Sequence, residues 1–391
     1  MKYSSIVSTL RGWGVTRFLG LFFLFAGIAT PTTAQNQDVI DAFARQVAAD
    51  VEADDIGAIT AAVFKGDQVL WAQGFGWADP GKRVPAGVRT IYRTGSISKS
   101  FTAVLMADLM EDGVLALDDP IESTLPEVVH FADAPPGMEP ITYRQLASHT
   151  AGLIREPELE GAASGPIEDW GHKILTSIPH TRYYTMPGTE YQYSNIAYGV
   201  LGYTLQRMTG ASFIELVEDR IFGPLGMNSS TFIVGPDLSR RLSVGFDPGN
   251  NGVVDARTPA LEHEGRGYKV PNGGVYSTVG DLATFGAAVM GYTEFELLEP
   301  TTREEVMRWQ TPPDGPGYSL GFFIDRVTLP NASEVRFVGH SGSVAGYNVN
   351  LVFEPESGWG VVMLRNYNSG QTNLGGASDA LLTQLLGAKE Q

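Results

Sequence analysis

A serine and a lysine lie three residues apart at the start of an apolar segment. Residues 93–101 read RTGSISKSF, and the apolar run FTAVLMADLM begins at their end. On a helix, positions i and i+3 share one face with Cβ atoms about 5–6 Å apart, so Lys99 could take the proton of the Ser96 hydroxyl. This chemistry requires an amine whose pKa is lowered by its surroundings. The alternative is that Ser96 is an ordinary helix N-cap, a position where serine is common.

Two further polar pairs lie before a predicted helix and at the edge of a predicted strand. Tyr193 and Asn195 belong to the segment PGTEYQYSN, where a tyrosine could transfer a proton and an asparagine could bind a substrate amide. His340 and Gly342 belong to VGHSGSVAGYNVNLVF, where a glycine would let a substrate backbone approach closely. Each pair also has a structural alternative. Asn195 could cap the helix beside a packed Tyr193, and His340 with Gly342 could form a strand end and a turn.

Two other patterns would indicate different enzyme classes. The sequence around Ser319, GYSLG, matches the nucleophile elbow G-x-S-x-G, but the residues after it predict a strand instead of the helix that an elbow needs. Residues 76–82, GWADPGK, resemble a phosphate-binding loop, but Arg83 stands where Ser or Thr would hold magnesium. The Asp-Pro-Gly sequence within that segment predicts a turn.

The composition is that of an acidic globular protein without cysteine. The 391 residues carry a net charge of -17, which disfavours binding to nucleic acid. The absence of cysteine excludes thiol nucleophiles, disulfides and thiolate metal sites. The histidines include no HExxH motif, and His263 with its neighbours Glu262 and Glu264 is expected to be exposed. We therefore predict neither a metal site nor a cofactor.

The first residues have the pattern of a secretory signal peptide. Lys2, Arg11 and Arg17 precede the apolar run FLGLFFLFAGIA, and small residues follow as far as Ala34. This run is shorter than the roughly 20 residues that a membrane span needs, although an uncleaved N-terminal anchor is the alternative. We predict a signal peptide over residues 1–34 and a secreted or periplasmic protein without a stable membrane span after cleavage.

The elements that must position these residues are strands near both chain ends and helices between them. Hydrophobic spacing predicts a hairpin around residues 65–67, several strands after residue 317, and helices over 38–53, 97–112, 193–210, 278–291 and the C-terminal segment. Ser212 is the expected N-cap of a further helix. The simplest arrangement is an α/β (α+β) fold, in which one antiparallel sheet from both chain ends is flanked by helices and joined to an all-helical lobe. We place the α/β lobe at about 35–120 and 275–391, the helical lobe at about 121–274, and the ligand cleft between them.

The three motifs, in the order Ser-x-x-Lys, Tyr-x-Asn and His-x-Gly, resemble those of the serine β-lactamase and penicillin-binding superfamily. The sequence is most similar to the class C β-lactamase-like branch, which includes D-Ala-D-Ala carboxypeptidases, D-aminopeptidases and esterases. The similarity includes the segments ITYRQLASHTAGL, IFGPLGMNSSTF and GGVYSTVGDLATF, and it covers most of residues 40–385. It implies a single β-lactamase-like domain over residues 35–391 with the β-lactamase/transpeptidase-like fold.

The resemblance implies catalytic roles for three of the motif residues. Ser96 would be the acylated nucleophile and Lys99 its proton partner. Tyr193 would be the base or acid that serves the leaving group and the deacylating water. Either Lys99 or Tyr193 would deprotonate Ser96, and the sequence leaves this choice open.

The resemblance also implies a set of substrate-binding residues. Asn195 would contact the substrate amide, and the backbone N–H groups of Ser96 and Ser343 would form the oxyanion hole. The third motif is usually Lys-Thr-Gly, whereas here His340 and Gly342 flank a serine. Because a histidine is charged only part of the time near neutral pH, the sequence departs from the family at the group that would recognise a β-lactam carboxylate.

We therefore predict an exported serine hydrolase that forms an acyl-enzyme at Ser96 with a small-molecule or peptide substrate, a D-amino-acid peptide or ester. The alternatives are a class C-type β-lactamase and a non-catalytic penicillin-binding or sensor protein on the same fold. His149, in LASHTAGL, is expected to be a structural histidine near the cleft. The acidic segment 155–173 is expected to edge the cleft and to disfavour anionic substrates. No pattern in the sequence predicts an oligomeric state.

Overall fold

The computed structural model of the protein describes residues 34–247 and 254–387. The predicted signal peptide therefore lies, except for Ala34, outside the described residues. Among the helices in these two ranges, none has both the length and the hydropathy that crossing a membrane requires.

A seven-stranded antiparallel sheet joins strands from the two ends of the described chain. Its strand order is β3-β2-β1-β9-β8-β7-β6, and a separate two-stranded sheet pairs β4 with β5. The predicted hairpin forms between β1 and β2, and β1 also pairs with β9, which confirms the predicted sheet from both chain ends. The strands are β1 Ala58–Lys65, β2 Gln68–Asp79, β3 Val84–Pro85, β4 Tyr92–Arg93, β5 Tyr276–Ser277, β6 Phe323–Thr328, β7 Glu334–Val344, β8 Tyr347–Phe353 and β9 Trp359–Arg365.

Helices cover both faces of this sheet. The helices are α1 Ala34–Asp54, α2 Ser98–Glu111, α3 Tyr143–Ala147, α4 Trp170–Ser177, α5 Asn195–Thr209, α6 Phe213–Val217, α7 Pro236–Ser239, α8 Arg257–Leu261, α9 Val270–Gly273, α10 Val279–Met290, α11 Pro300–Val306 and α12 Leu374–Gly387. Successive side chains of a strand point to opposite faces of the sheet. On β1, Ile59 and Val63 accordingly pack in the core with α1 and α12, whereas Ala62 and Phe64 pack in the core with α2 and α10.

The helices that carry the first two motifs begin with different local structures. A 3₁₀ turn, Gly95–Ile97, leads directly into α2. Helix α5 begins after Ser194, whose side chain accepts a hydrogen bond from the Ala197 N–H, and it ends at Gly210, where φ is 71°. Ser212 is the N-cap residue of α6, as predicted, although its side chain makes no capping hydrogen bond.

Candidate active site

Lys99 is fixed within hydrogen-bond distance of Ser96. Its Nζ lies 3.1 Å from the Ser96 Oγ, and it donates to the Asn195 Oδ1 at 2.8 Å and to the Asn272 carbonyl oxygen at 3.3 Å. The lysine side chain is completely buried. Two acceptors on distant parts of the chain thus hold the amine in one place beside the serine hydroxyl, with its lone pair available to that hydroxyl.

The environment of Lys99 favours its neutral form. Burial lowers the pKa of the Lys99 amine well below its ordinary value of 10.5, and the positive charge of Arg155 lowers it further. The carboxylate of Glu156 acts in the opposite direction and raises this pKa. A neutral amine can accept a proton from a hydroxyl, which is the property that the chemistry of this pair requires.

The ring of Tyr193 lies beside two cationic side chains. The centroid of its ring is 4.8 Å from the Lys99 Nζ and 4.7 Å from the guanidinium carbon of Arg155. Burial raises the pKa of Tyr193 to about 12, although the hydrogen bond with Ser96 lowers it. The phenol therefore carries its proton at neutral pH and can donate it. The structure brings Ser96, Lys99 and Tyr193 together.

Strand β7 passes so close to the serine turn that only glycine fits at two positions. A Cβ on Gly342 would collide with the Thr94 carbonyl oxygen and lie 3.2 Å from the Ser96 backbone nitrogen. A Cβ on Gly95 would lie 3.0 Å from the Ser343 nitrogen. The turn that carries Ser96 therefore packs against Gly342, at the position where the sequence suggested the close approach of a substrate backbone. This close approach places the backbone nitrogens of Ser96 and Ser343 on adjoining segments, as an oxyanion hole requires.

His340 is buried in a hydrogen-bond arrangement that suits the neutral imidazole. Its Nδ1 lies 2.6 Å from the Ser341 carbonyl oxygen, and its Nε2 lies 3.0 Å from the Tyr318 hydroxyl. Because a carbonyl oxygen can only accept, Nδ1 donates to Ser341, and in the neutral ring Nε2 then accepts from the Tyr318 hydroxyl. Burial lowers the pKa of His340 to about 3, and the charge of Lys99 lowers it as well. The expectation of a partly charged histidine near neutral pH is therefore corrected.

Asn195 is bonded within the protein at both ends of its amide. While its Oδ1 accepts from Lys99, its Nδ2 donates to the Glu156 Oε1 at 2.6 Å. The alternative that Asn195 caps α5 is wrong, because Ser194 makes the capping bond. The amide expected to meet a substrate orients Lys99 in this structure.

Glu156 is the site residue that sequence reasoning missed. Its Oε2 accepts from the Tyr268 hydroxyl and lies 3.0 Å from the Lys269 Nζ. Together with its bond to Asn195, these contacts join three segments around the site. The only available signal was its place at the start of the acidic segment 155–173, and nothing in that pattern separates it from the other carboxylates there.

His149 supports the segment that carries the second motif. It is completely buried, and its Nδ1 accepts from the Ser194 N–H at 3.1 Å. Its ring centroid lies 4.2 Å from that of Tyr193. Burial lowers the pKa of His149 well below its ordinary value of 6.5. These contacts suit the structural role that the sequence suggested.

The other patterns singled out in the sequence lie apart from this group. Ser319 is completely buried, its hydroxyl donates to the Phe322 carbonyl oxygen, and strand β6 follows it, so it does not sit in a nucleophile elbow. The prediction that the 262–264 segment is exposed is wrong for Glu262 and His263, which are half-buried. Glu262 pairs with Arg93 at 2.6 Å, and the His263 Nδ1 lies 2.7 Å from the Tyr276 hydroxyl. In the part of the chain that the structure describes, no group of three or more His, Cys, Asp or Glu side chains could hold a metal ion.

Replacing Glu156 by glutamine is expected to lower kcat about tenfold, because the orientation of Asn195 and Lys99 depends on this carboxylate. Since Glu156 raises the pKa of Lys99, its loss lowers that pKa further. The acidic limb of the profile of kcat/KM against pH is therefore expected to move to lower pH. The measurement is this profile between pH 5 and 9.

Glu158→Gln is the matched control for this measurement. Glu158 is also in the acidic segment, but it is exposed and pairs with Arg182 at 3.0 Å. Removal of the Glu158 charge is expected to leave the dependence of kcat/KM on pH unchanged. Coincident profiles for the wild type and Glu156→Gln would show that Glu156 does not tune Lys99.

The sequence matches a known protein family and a set of curated proteins. A family model described as Beta-lactamase matches residues 43–384. The chain is 26% identical over 349 residues to the D-alanyl-D-alanine-carboxypeptidase/endopeptidase AmpH of Escherichia coli strain K12, and the match covers 84% of each protein.

Two solved structures have the same fold. The octameric penicillin-binding protein homologue from Pyrococcus abyssi aligns with a TM-score of 0.71 and 24% identity over 89% of this chain and 76% of its own. The β-lactamase/D-alanine carboxypeptidase from Yersinia pestis aligns with a TM-score of 0.68 and 22% identity over 90% of this chain and 98% of its own. These likenesses confirm the predicted fold class.

Proposed function

The chain belongs to the Beta-lactamase family and is a serine hydrolase, and from this premise we propose that it cleaves an amide or ester bond through an acyl-enzyme at Ser96. The observation that carries the proposal is the pair of Ser96 Oγ and Lys99 Nζ, 3.1 Å apart, with the pKa of the buried amine well below its ordinary value. A hydroxyl beside a neutral amine is an activated nucleophile.

In the proposed first step the Ser96 Oγ attacks the substrate carbonyl carbon while its proton passes to the Lys99 Nζ. The backbone N–H groups of Ser96 and Ser343 stabilise the resulting oxyanion. Tyr193 gives its proton to the leaving amine or alcohol as the scissile bond breaks. Between the two candidate bases we assign Lys99, because the pKa of Tyr193 is raised to about 12 and a protonated phenol serves better as the acid.

In the proposed second step a water molecule attacks the acyl carbon of the ester on Ser96. The water gives up a proton to the deprotonated Tyr193, the bond to the Ser96 Oγ breaks, and Lys99 returns the proton to that oxygen. The products are a carboxylic acid and the free serine, and the phenol and the amine regain their starting states. Each proton thus moves between groups that the structure holds around one hydroxyl.

We propose a D-amino-acid peptide or ester as the substrate, and a secreted or periplasmic location. The substrate class is supported by the similarity to the carboxypeptidase/endopeptidase of Escherichia coli, and the location by the signal pattern at the start of the sequence. The neutral, buried His340 offers no charge for a β-lactam carboxylate at the third motif, and this departure from the Lys-Thr-Gly pattern supports a peptidase or esterase over a β-lactamase.

The test is a time course of intact-protein mass with a β-lactam and, separately, with p-nitrophenyl acetate. We expect one acyl group to add and, after digestion with trypsin, to lie on Ser96 within TGSISK, residues 94–99. A β-lactam adduct that persists would indicate a penicillin-binding peptidase, whereas a short-lived one with free opened drug would indicate a β-lactamase. Label in the peptide 309–326, which contains Ser319, or no label from either probe, would overturn the proposal.

A further inference from the structure

Three cationic side chains besides Lys99 influence the site, and they differ in exposure. Arg155, Lys269 and Arg266 each lower the pKa of Lys99. The Arg266 side chain is 11% exposed and donates to the Gly273 carbonyl oxygen. The Lys269 side chain is 20% exposed and lies 3.0 Å from Glu156, whereas the Arg155 side chain is 61% exposed. Of these three, Arg155 is the cation that a ligand in solution can reach.

The charge of Arg155 is only partly balanced by the carboxylate next to it, because that carboxylate has closer partners. The two oxygens of Glu156 bind Lys269, Asn195 and the Tyr268 hydroxyl, while the Arg155 Nε lies 3.9 Å away. Arg155 and Lys269 carry two positive charges and Glu156 carries one negative charge, so these three side chains together have a net charge of about +1 at the edge of the site. In a chain with a net charge of -17, this local excess is opposite in sign to the whole.

Arg155 is also held in a defined position. Its carbonyl oxygen accepts hydrogen bonds from the Asn195 N–H at 2.8 Å and the Ile196 N–H at 3.3 Å, which fix its backbone to the start of α5. Its guanidinium carbon lies 4.7 Å from the ring centroid of Tyr193. The exposed head of the side chain is therefore adjacent to the proposed acid and on the same loop as Glu156.

We propose that Arg155 binds a carboxylate of the substrate, so that the site prefers acidic over neutral esters and amides. The inference rests on the proposed hydrolysis at Ser96. A guanidinium offers paired donors that match a carboxylate, and His340, which stands where the resemblance places a cation, is uncharged. At Arg155 this is opposite to the expectation that segment 155–173 disfavours anions, because the guanidinium is exposed and the charge of Glu156 is shared with Lys269. The carboxylate belongs either to the acyl part of the substrate or to its leaving group.

Three esters distinguish these two sources. p-Nitrophenyl acetate is neutral, mono-p-nitrophenyl succinate carries a carboxylate on the acyl part, and para-carboxyphenyl acetate carries one on the leaving group. For each ester, kcat/KM is measured for the wild type and for Arg155→Gln, after subtraction of the rate with Ser96→Ala. We expect the loss for one acidic ester to exceed the loss for the neutral ester about tenfold, and the ester affected identifies the position of the carboxylate. Arg155→Lys should recover part of the preference.

Arg182→Gln is the control for an equal change in net charge. Arg182 pairs with Glu158 at 3.0 Å, so its replacement should lower the values for the two acidic esters by only a small factor and leave the value for the neutral ester unchanged. Equal losses for all three esters with Arg155→Gln would overturn the inference while Ser96-dependent hydrolysis stands. If no ester is hydrolysed in a Ser96-dependent manner, the proposed function fails and the inference with it.

Discussion

Replacing Ser96 by alanine is expected to lower kcat by about 10³- to 10⁶-fold, leaving the rate that binding and oxyanion contacts supply without a nucleophile. The substitution removes the oxygen that lies 3.1 Å from the Lys99 Nζ. Two acceptors, the Asn195 Oδ1 and the Asn272 carbonyl, still hold the amine. We therefore expect the free energy of unfolding to change by only about 1 kcal/mol, the usual net value of one hydrogen bond. Steady-state kinetics and urea unfolding measure the two effects.

Ser319→Ala provides the matched serine control. The Ser319 hydroxyl is buried and donates to the Phe322 carbonyl oxygen at 3.2 Å. Its loss should therefore lower the free energy of unfolding about as much as the loss of the Ser96 hydroxyl does, without removing a catalytic group. We expect kcat to stay within about twofold of the wild type. If Ser96→Ala retained a tenth or more of the wild-type kcat, or if Ser319→Ala were the inactive variant, the assignment of the nucleophile would be wrong.

The parts of the molecule that could be predicted from sequence are those fixed by local geometry. Ser96 and Lys99 lie in consecutive turns of one helical segment, so their spacing alone places the amine beside the hydroxyl. The hairpin of β1 and β2 follows in the same way from strand patterns on either side of a Lys65-Gly66-Asp67 turn. Burial then follows from alternation, as in Ile59 and Ala62 on opposite faces of the sheet.

The parts that could not be predicted depend on contacts between distant segments. Nothing in the sequence says that the Asn195 amide faces Lys99 and Glu156 instead of a substrate, because that choice is made where α2, the start of α5 and the loop of Glu156 meet. The neutral state of His340 is likewise set by the Tyr318 hydroxyl and by burial. The sequence shows that a histidine is present in the motif, but its charge depends on contacts that only the folded protein makes.

Lys99→Met is expected to lower kcat/KM by about 10²- to 10⁴-fold, the usual contribution of a positioned acid or base. Methionine keeps the aliphatic stem but removes the amine that accepts the Ser96 proton. The effect should fall on the formation of the acyl-enzyme. With p-nitrophenyl acetate, the stopped-flow burst of p-nitrophenolate measures this step separately from hydrolysis of the acyl-enzyme. An unchanged acylation rate would assign the base to Tyr193.

The same substitution tests the lowered pKa of Lys99 without reference to any substrate. In the unfolded chain the amine titrates near its ordinary value of 10.5, whereas burial lowers this pKa in the folded protein. Between the two values the unfolded chain binds more protons, so the free energy of unfolding of the wild type rises with pH in that window. Lys99→Met has no group to titrate there, and the wild type should gain stability relative to it between pH 8 and 10. This slope does not depend on the fixed cost of the hydrogen bonds that the amine makes to Asn195 and Asn272.

Lys82→Met is the matched control, because Lys82 lies on the surface and pairs with Asp79. The free energy of unfolding of this variant should change with pH as that of the wild type does. If the curve of Lys99→Met were parallel to that of the wild type as well, Lys99 would be charged in the folded protein and could not accept the proton of Ser96.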